Sequence, residues 1–214
     1  VIHSLESYDT TTVRASTPMW LLCKYIKQRT SCRYIFSGEG SDEILGGYLY
    51  FHNAPNVEEF ACENMRRLRL IHQFDGLRAD RCAGAHGLDL VVPFLDKDFI
   101  EACMTINQNE KIGSVEKRVL REAFEGYLPH DILWRQKDGM SDAVGTNWID
   151  SIKKYTEDEI DSKMFHEIVT KSRGHNTPLT REEALYRSIF WRMYGMDNDH
   201  LISEIWRPRW TTIT

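Results

Sequence analysis

Tyr34-Ile35-Phe36 runs directly into Ser37-Gly38-Glu39-Gly40-Ser41-Asp42-Glu43. A short apolar, β-prone run followed by a glycine-rich stretch and then Ser-Asp-Glu reads as strand, loop and helix start. Glycines at a strand end let backbone N–H groups come close to an anion. The N-terminus of the following helix adds partial positive charge at the same place. That arrangement suits phosphate. The loop also carries Glu39, Asp42 and Glu43, which repel phosphate unless a divalent cation lies between. Two readings fit these residue types. One is a Mg²⁺-nucleotide site, or a general base beside one. The other is an acidic surface turn with a helix cap. The loop is not a Walker A sequence, because it lacks the Gly-Lys-Ser/Thr ending.

Outward from this loop the chain reads as mostly helical. Ser16-Thr17-Pro18 before Met19, Leu21, Leu22, Tyr25 and Ile26 predicts a capped helix with Pro in its first turn. Asn56 with Glu59 fits a capping arrangement. From there apolar spacing through Phe60, Met65, Leu68, Ile71, Phe74 and Leu77 predicts one helical segment to about Ala85, with Gly87 as its stop. Asp96 is a candidate cap for a helix carrying Phe99, Ile100 and Cys103. Ser114 is a candidate cap for one carrying Val115, Val119, Leu120 and Phe124. Thr180-Arg181-Glu182-Glu183 is a capping box ahead of Ala184, Leu185, Ile189 and Phe190. Only residues 34–36, and more weakly 88–92, read as strands. A lone strand is not stable without neighbours. Either the fold is nearly all helical, or its other strands lie upstream of Val1.

Composition narrows the function classes. The 214 residues are 42% hydrophobic and 28% charged, which suits one soluble globular domain. A formal net charge of -5 gives no sign of a nucleic-acid partner. The local basic spot Arg207-Pro208-Arg209 reads as a solvated tail in preference to a binding patch. Five cysteines with no C-x-x-C pair resemble neither a zinc site nor a disulfide scaffold. Free thiols in a reducing, cytoplasmic compartment are expected. No apolar run approaches the ~20 residues of a membrane span, so no membrane partner is expected. There is no signal peptide, and the missing initiator Met points to a fragment or a processed product.

Two further stretches carry candidate chemistry. In Trp134-Arg135-Gln136-Lys137-Asp138, followed by Ser141-Asp142, a loop lysine could meet charge on a transferring phosphoryl group. The alternative is a solvated surface lysine. In Phe74-Asp75-Gly76-Leu77-Arg78-Ala79-Asp80-Arg81, Asp75 and Arg78 share a helix face, as do Arg78 and Arg81. These charges are either buried and paired or form a surface ladder. The histidines show no ligand or triad pattern.

The loop, continued through Gly46-Gly47-Tyr48-Leu49-Tyr50-Phe51-His52, resembles the second nucleotide-site motif of glutamine-dependent asparagine synthetases. Other blocks resemble the same family in the same order. They are Ser7-Tyr8-Asp9 with Arg14-Ala15-Ser16, Leu77-Arg78-Ala79-Asp80-Arg81, Val92-Pro93-Phe94-Leu95-Asp96, Trp134-Arg135-Gln136-Lys137 and Asn176-Thr177-Pro178. Ile205-Trp206-Arg207-Pro208-Arg209-Trp210 resembles the eukaryotic-type members. The resemblance covers nearly the whole chain.

It implies an α/β fold: a mostly helical fragment of a parallel-sheet adenine-nucleotide α-hydrolase-like (PP-loop ATPase) domain, with the early strands missing. Residues 1–214 would be the C-terminal portion of the synthetase domain. The family adenylates aspartate with Mg-ATP, and ammonia then attacks the β-aspartyl-AMP. The resemblance assigns adenylate contacts to Ser37 and Gly38, with Gly40 and Ser41 in the same ATP-binding loop. Glu39 would take a proton from ammonia, Asp42 would ligate Mg²⁺, and Tyr48 would line the pocket. Asp75 would order the site by pairing with Lys137, and Lys137 would stabilise charge at the α-phosphorus and on departing pyrophosphate. Around the lysine, Asp138, Met140 and Ala143 stand where related sequences often have Glu, Phe and Gly. The family's pyrophosphate loop, Ser-Gly-Gly-x-Asp-Ser, is absent, as is the glutaminase domain. The implied partners are aspartate, ATP, ammonia, and that missing half supplied in cis or in trans. Without it the chain would expose a sheet edge and an apolar face and would be inactive alone. Two alternatives are a related ligase acting on another carboxylate and a non-catalytic module that docks on a full-length synthetase.

Overall fold

The computed structural model describes residues 1–140 and 147–211; Ser141, Asp142 and Ala143 of the lysine stretch lie outside them. The described chain is mostly helical, with one two-stranded parallel sheet. Its longer elements in chain order are α1 (Thr10–Arg29), β1 (Tyr34–Phe36), α2 (Ser41–Leu45), α3 (Val57–Leu70), α4 (Asp75–Gly84), β2 (Asp89–Val91), α5 (Lys97–Met104), α6 (Arg118–Ala123), α7 (Trp148–Glu159), α8 (Ser162–Lys171) and α9 (Arg181–Tyr194). No described helix is long and apolar enough to cross a membrane. The chain forms two compact units. One holds Val1–Arg33, Arg78–Leu88 and Asp138–Trp206; the other holds Tyr34–Leu77, Asp89–Lys137 and Arg207–Thr214.

In the first unit, α1 begins seven residues earlier than the Ser16 cap predicts. Asp9 is its cap: Oδ2 accepts from Thr12 N–H at 2.8 Å, and Oδ1 accepts from Trp206 N–H at 2.7 Å. Pro18 therefore lies inside the helix. It removes the donor that Arg14 C=O would otherwise meet, a loss the long helix carries. A fully buried carboxylate holding two N–H groups outweighs the local signal of Ser-Thr-Pro. The Thr180 box is present at α9. Thr180 Oγ1 accepts from Glu183 N–H at 3.2 Å, and Glu183 Oε2 reaches back to Leu179 N–H at 2.7 Å. Helix α9 packs against α7 and α8, and it buries Ala184 and Phe190, the latter with its ring 5.1 Å from that of Tyr8.

The second unit contains the sheet. β1 and β2 run parallel in the register Tyr34 to Asp89, Ile35 to Leu90 and Phe36 to Val91. Tyr34 and Phe36 are exposed at 60% and 74%. Ile44, Leu45 and Cys103 form the buried core, with Leu68, Phe94 and Phe99 packed against it. Asn56 caps α3 by accepting from Glu59 N–H, and Asp96 caps α5 by accepting from Asp98 and Phe99 N–H. The single helix expected from residue 57 to about 85 is broken by a 3₁₀ turn, Ile71–Gln73. The break needs Gly76: a Cβ there would lie 2.8 Å from Ile71 C=O. Ser114 does not cap the next helix. α6 starts at Arg118, after Lys117 at φ +54°.

Lys111 is a cost within this core. Its side chain is buried, and Nζ has no hydrogen-bond partner among the described residues. Desolvation lowers its pKa from the usual 10.5. Between the folded value and 10.5 the unfolded chain binds the extra proton, so stability rises with pH across that window. Lys111→Met should raise stability at pH 7 by about 1–3 kcal/mol and flatten that rise. Urea unfolding at pH 7 and pH 10 checks both points.

Candidate active site

The parallel ladder extends one residue past β1, where Ser37 N–H donates to Val91 C=O at 2.9 Å. The chain then turns through residues 38–40. Gly40 stands at φ +92° as the N-cap of α2, and a Cβ there would lie 2.3 Å from Leu95 Cδ2. Only glycine fits both the left-handed backbone and that approach. Gly47 closes the other end. Its N–H donates to Asp42 C=O at 2.8 Å, and a Cβ on it would sit 1.9 Å from Asp42 Oδ1. Gly40 thus lets the turn close against Leu95, and Gly47 lets the backbone fold tightly against the Asp42 carboxylate.

Asp42 Oδ1 receives two ammonium groups, Lys137 Nζ at 2.8 Å and Lys117 Nζ at 3.2 Å. Burial pushes this carboxyl up, but Lys137 and Lys117 together outweigh it and hold it below its usual range. Asp42 is therefore ionised at neutral pH. Lys117 also reaches Ser41 Oγ at 3.4 Å. Lys137 Nζ lies 4.8 Å from the centre of the Tyr48 ring, a cation–π contact.

Beside this cluster is a carboxylate pair. Tyr48 Oη lies 2.5 Å from Glu43 Oε1 and 2.8 Å from Asp75 Oδ2. Burial, and then Asp75, push Glu43 up to about 8. Burial, with Asp75 and Glu43 next, raises Tyr48 well above its usual value. Glu43, buried and facing a second carboxylate across one phenol, therefore keeps its proton near neutral pH.

Lys137 is held at both ends. Its N–H donates to Glu116 Oε1 at 3.0 Å. Arg121 pairs with the same carboxylate and donates to Leu133 C=O at 2.5 Å and Arg135 C=O at 3.0 Å. Both Glu116 and Arg121 have little-exposed side chains. The loop entering Lys137 is thereby fixed by its own carbonyls.

Of the residues singled out in the sequence, Ser41, Asp42, Tyr48, Asp75 and Lys137 meet in one polar network, but the Lys137 ammonium pairs with Asp42 where the resemblance implied Asp75, whose carboxylate meets the Tyr48 hydroxyl instead. Ser37 N–H serves the sheet, and Gly38 C=O accepts from Ser41 N–H at 3.3 Å. Glu39 is half-buried on the intervening turn. The sequence reading missed Lys117 and the pairing role of Glu43. Lys117 lay inside a helix expected to start at Ser114, whereas its left-handed backbone sets its ammonium at the mouth of α2. Such a backbone in a lysine costs about 1 kcal/mol and marks a position held by its contacts. Arg207-Pro208-Arg209 is not a solvated tail: Arg67 donates to Arg207 C=O, and Arg209 Nε lies 3.1 Å from Glu63 Oε2. The sequence could not reveal this, because the receptor for the segment lies some 140 residues away in the chain.

The asparagine synthase family model matches residues 1–71 and 59–213. Glutamine-hydrolyzing asparagine synthetase 1 of Lotus japonicus is 47% identical over 210 residues, which cover 94% of this chain and 36% of that protein. Glutamine-hydrolyzing asparagine synthetase B of Escherichia coli strain K12 is 44% identical over 199 residues, covering 92% and 36%. The protein from Sandersonia aurantiaca is 46% identical, covering 98% and 40%. The chain thus spans little more than a third of the length of these relatives. With its whole described length inside the match, the chain belongs to the asparagine synthase family.

Proposed function

We propose that this chain is the C-terminal part of a site that amidates aspartate with ATP, by way of β-aspartyl-AMP, using ammonia from glutamine or free ammonium. The observation that carries the reading is the Asp42, Lys117 and Lys137 cluster at the carboxyl end of a parallel strand. Ligands of α/β sheets collect at that end. The nucleotide would lie along the 37–42 loop against Tyr48, within a PP-loop type of domain whose other strands are supplied by the remainder of the enzyme. That remainder would bring the pyrophosphate loop and the glutaminase, in cis or in trans. This chain alone would be inactive.

The chemistry follows from the groups present. A carboxylate is a poor electrophile, and joining it to AMP creates a leaving group. Lys137 would meet negative charge at the α-phosphorus as pyrophosphate departs, a positional electrostatic role. Glu39 would accept a proton from the attacking ammonia. Asp75, fixed by the Tyr48 hydroxyl, would keep this wall of the pocket in place.

Asp42 is the acid that fits Mg²⁺. It is ionised, and its Oδ1 takes both lysines. Among the described residues no three acidic, His or Cys side chains gather to hold a metal unaided. Mg²⁺ commonly uses one or two carboxylates together with phosphate oxygens and water. When bound, the ion would offset charge on the phosphates. All five cysteines are free thiols, which supports a reducing, cytoplasmic setting.

The test combines this chain with the N-terminal portion of a relative and supplies Mg-ATP, aspartate and hydroxylamine. Hydroxylamine converts an acyl-adenylate to a hydroxamate. Aspartyl hydroxamate, dependent on both proteins, is expected. A hydroxamate formed only from a different carboxylate would contradict the substrate, and none from any carboxylate would contradict the reaction.

A further inference from the structure

We infer that the segment 207–210 is a positioning element of the site: Arg209 acts through Glu63 and Tyr50 to hold the Tyr48 ring. What Tyr48 does for a ligand rests on the function proposed above. The mechanical coupling itself does not.

The hub is Glu63 on α3, whose side chain is fully buried. Its Oε1 accepts from Tyr50 Oη at 2.8 Å and from Arg67 Nε at 2.8 Å. Its Oε2 faces Arg66 Nε at 2.8 Å and Arg209 Nε at 3.1 Å. One carboxylate thus gathers three guanidinium groups and one phenol. A second tie joins the same elements, because Arg67 also donates to Arg207 C=O. Trp210 lies with its ring 6.2 Å from that of Tyr50 and takes φ +55°, a left-handed backbone that a tryptophan keeps only when its surroundings hold it there.

Tyr50 passes the constraint on. Its ring stacks on that of Tyr48 at 5.7 Å and an interplanar angle of 27°. The opposite requirements on Tyr48 are set by Lys137 over its ring and by Glu43 and Asp75 at its hydroxyl. A ring that must satisfy two carboxylates and a cation needs a rigid backing, and Tyr50 provides it. Arg209 is 44% exposed, so its ion pair contributes little to global stability. Its removal is therefore a local perturbation, which separates positioning from folding.

Amide hydrogen exchange on the full 214-residue chain tests this. Phe51 N–H and Ala54 N–H close the turn that carries Tyr48 and Tyr50. Arg209→Ala should speed their exchange about tenfold, with the melting temperature within about 2 °C of wild type. In a Tyr50→Phe background, where the phenol no longer reaches Glu63, Arg209→Ala should add almost nothing. Unchanged exchange, or an equal increase in both backgrounds, would overturn the coupling. If Arg209→Ala unfolds the chain, Arg209→Gln keeps the length of the side chain without its charge and is read the same way. In the assembled enzyme, Arg209→Ala should raise KM for ATP about fivefold with kcat within about twofold. A fall in kcat at unchanged KM would overturn the assigned role. Because exchange needs no ligand, coupling without any hydroxamate product would overturn the proposed function and leave this inference standing.

Discussion

Lys137→Ala is expected to slow aspartate-dependent pyrophosphate release by about 10³-fold in an enzyme assembled from this chain and the N-terminal portion of a relative. The size follows from what the ammonium would face. Lys137 already sits against one ionised carboxylate, and its approach is fixed by Glu116 and by the two carbonyls that Arg121 holds. A cation fixed in advance loses little on meeting developing charge. The variant should still fold, because Asp42 keeps Lys117 as its partner. Lys137→Arg should rescue poorly, since a broad planar guanidinium cannot bring its charge to the one point where the compact ammonium meets Asp42 Oδ1. Single-turnover pyrophosphate release measures both variants. A near-normal rate for Lys137→Ala would reduce Lys137 to a counter-ion for Asp42.

Asp199→Ala should destabilise the first unit by about 3–5 kcal/mol. Arg187 on α9 is fully buried, and its guanidinium pairs with Asp199 Oδ2. It also donates to Asn176 C=O at 2.6 Å and lies over the Tyr8 and Trp191 rings at 5.0 and 5.2 Å. Trp191 Nε1 donates to Asp199 Oδ1 at 2.9 Å. Deleting the carboxylate strands a buried cation and an indole N–H together, and each of those losses is large. Replacing both partners, in Arg187→Met with Asp199→Ala, should recover most of the loss, because an uncharged pair needs no compensation. Chemical denaturation of the two variants checks the order. Equal stability of the single and double variants would show that packing, not charge, sets the cost.

These two sites also show how far the sequence could be read. Signals confined to a few residues were legible: the Asn56, Asp96 and Thr180 caps, the Tyr34–Phe36 strand and the glycine loop after it. Signals that compete with tertiary contacts were not. Ser16 and Pro18 announce a helix start, yet Asp9 wins because Trp206, nearly 200 residues away, shares its carboxylate. The apolar spacing from 60 to 77 runs unbroken through a real break, because periodicity does not record the close approach of Gly76 to Ile71 C=O. In the site, Asp42 and Tyr48 stand in one motif, but Lys137 joins them from 95 residues away. No spacing rule links such positions. Residue types offered Lys137 and Asp75 only as candidates beside a surface reading, the family resemblance gave them a place in the site, and neither reached Lys117, the pairing role of Glu43 or the Arg209 contact. Those depend on a left-handed lysine, a shared phenol and a buried glutamate.

The wild-type baseline for the Lys137 comparison is also the most direct test of the whole account. Pyrophosphate release is measured with Mg-ATP, aspartate and ammonium, for this chain alone and for this chain with the N-terminal portion of a relative. The account predicts no release above background from the folded chain alone, and aspartate-dependent release from the combination that Glu39→Ala abolishes. Aspartate-dependent release by the chain alone would contradict the claim that its site is completed by another segment. Release from the combination that persists in Glu39→Ala would contradict the place of this loop in the reaction.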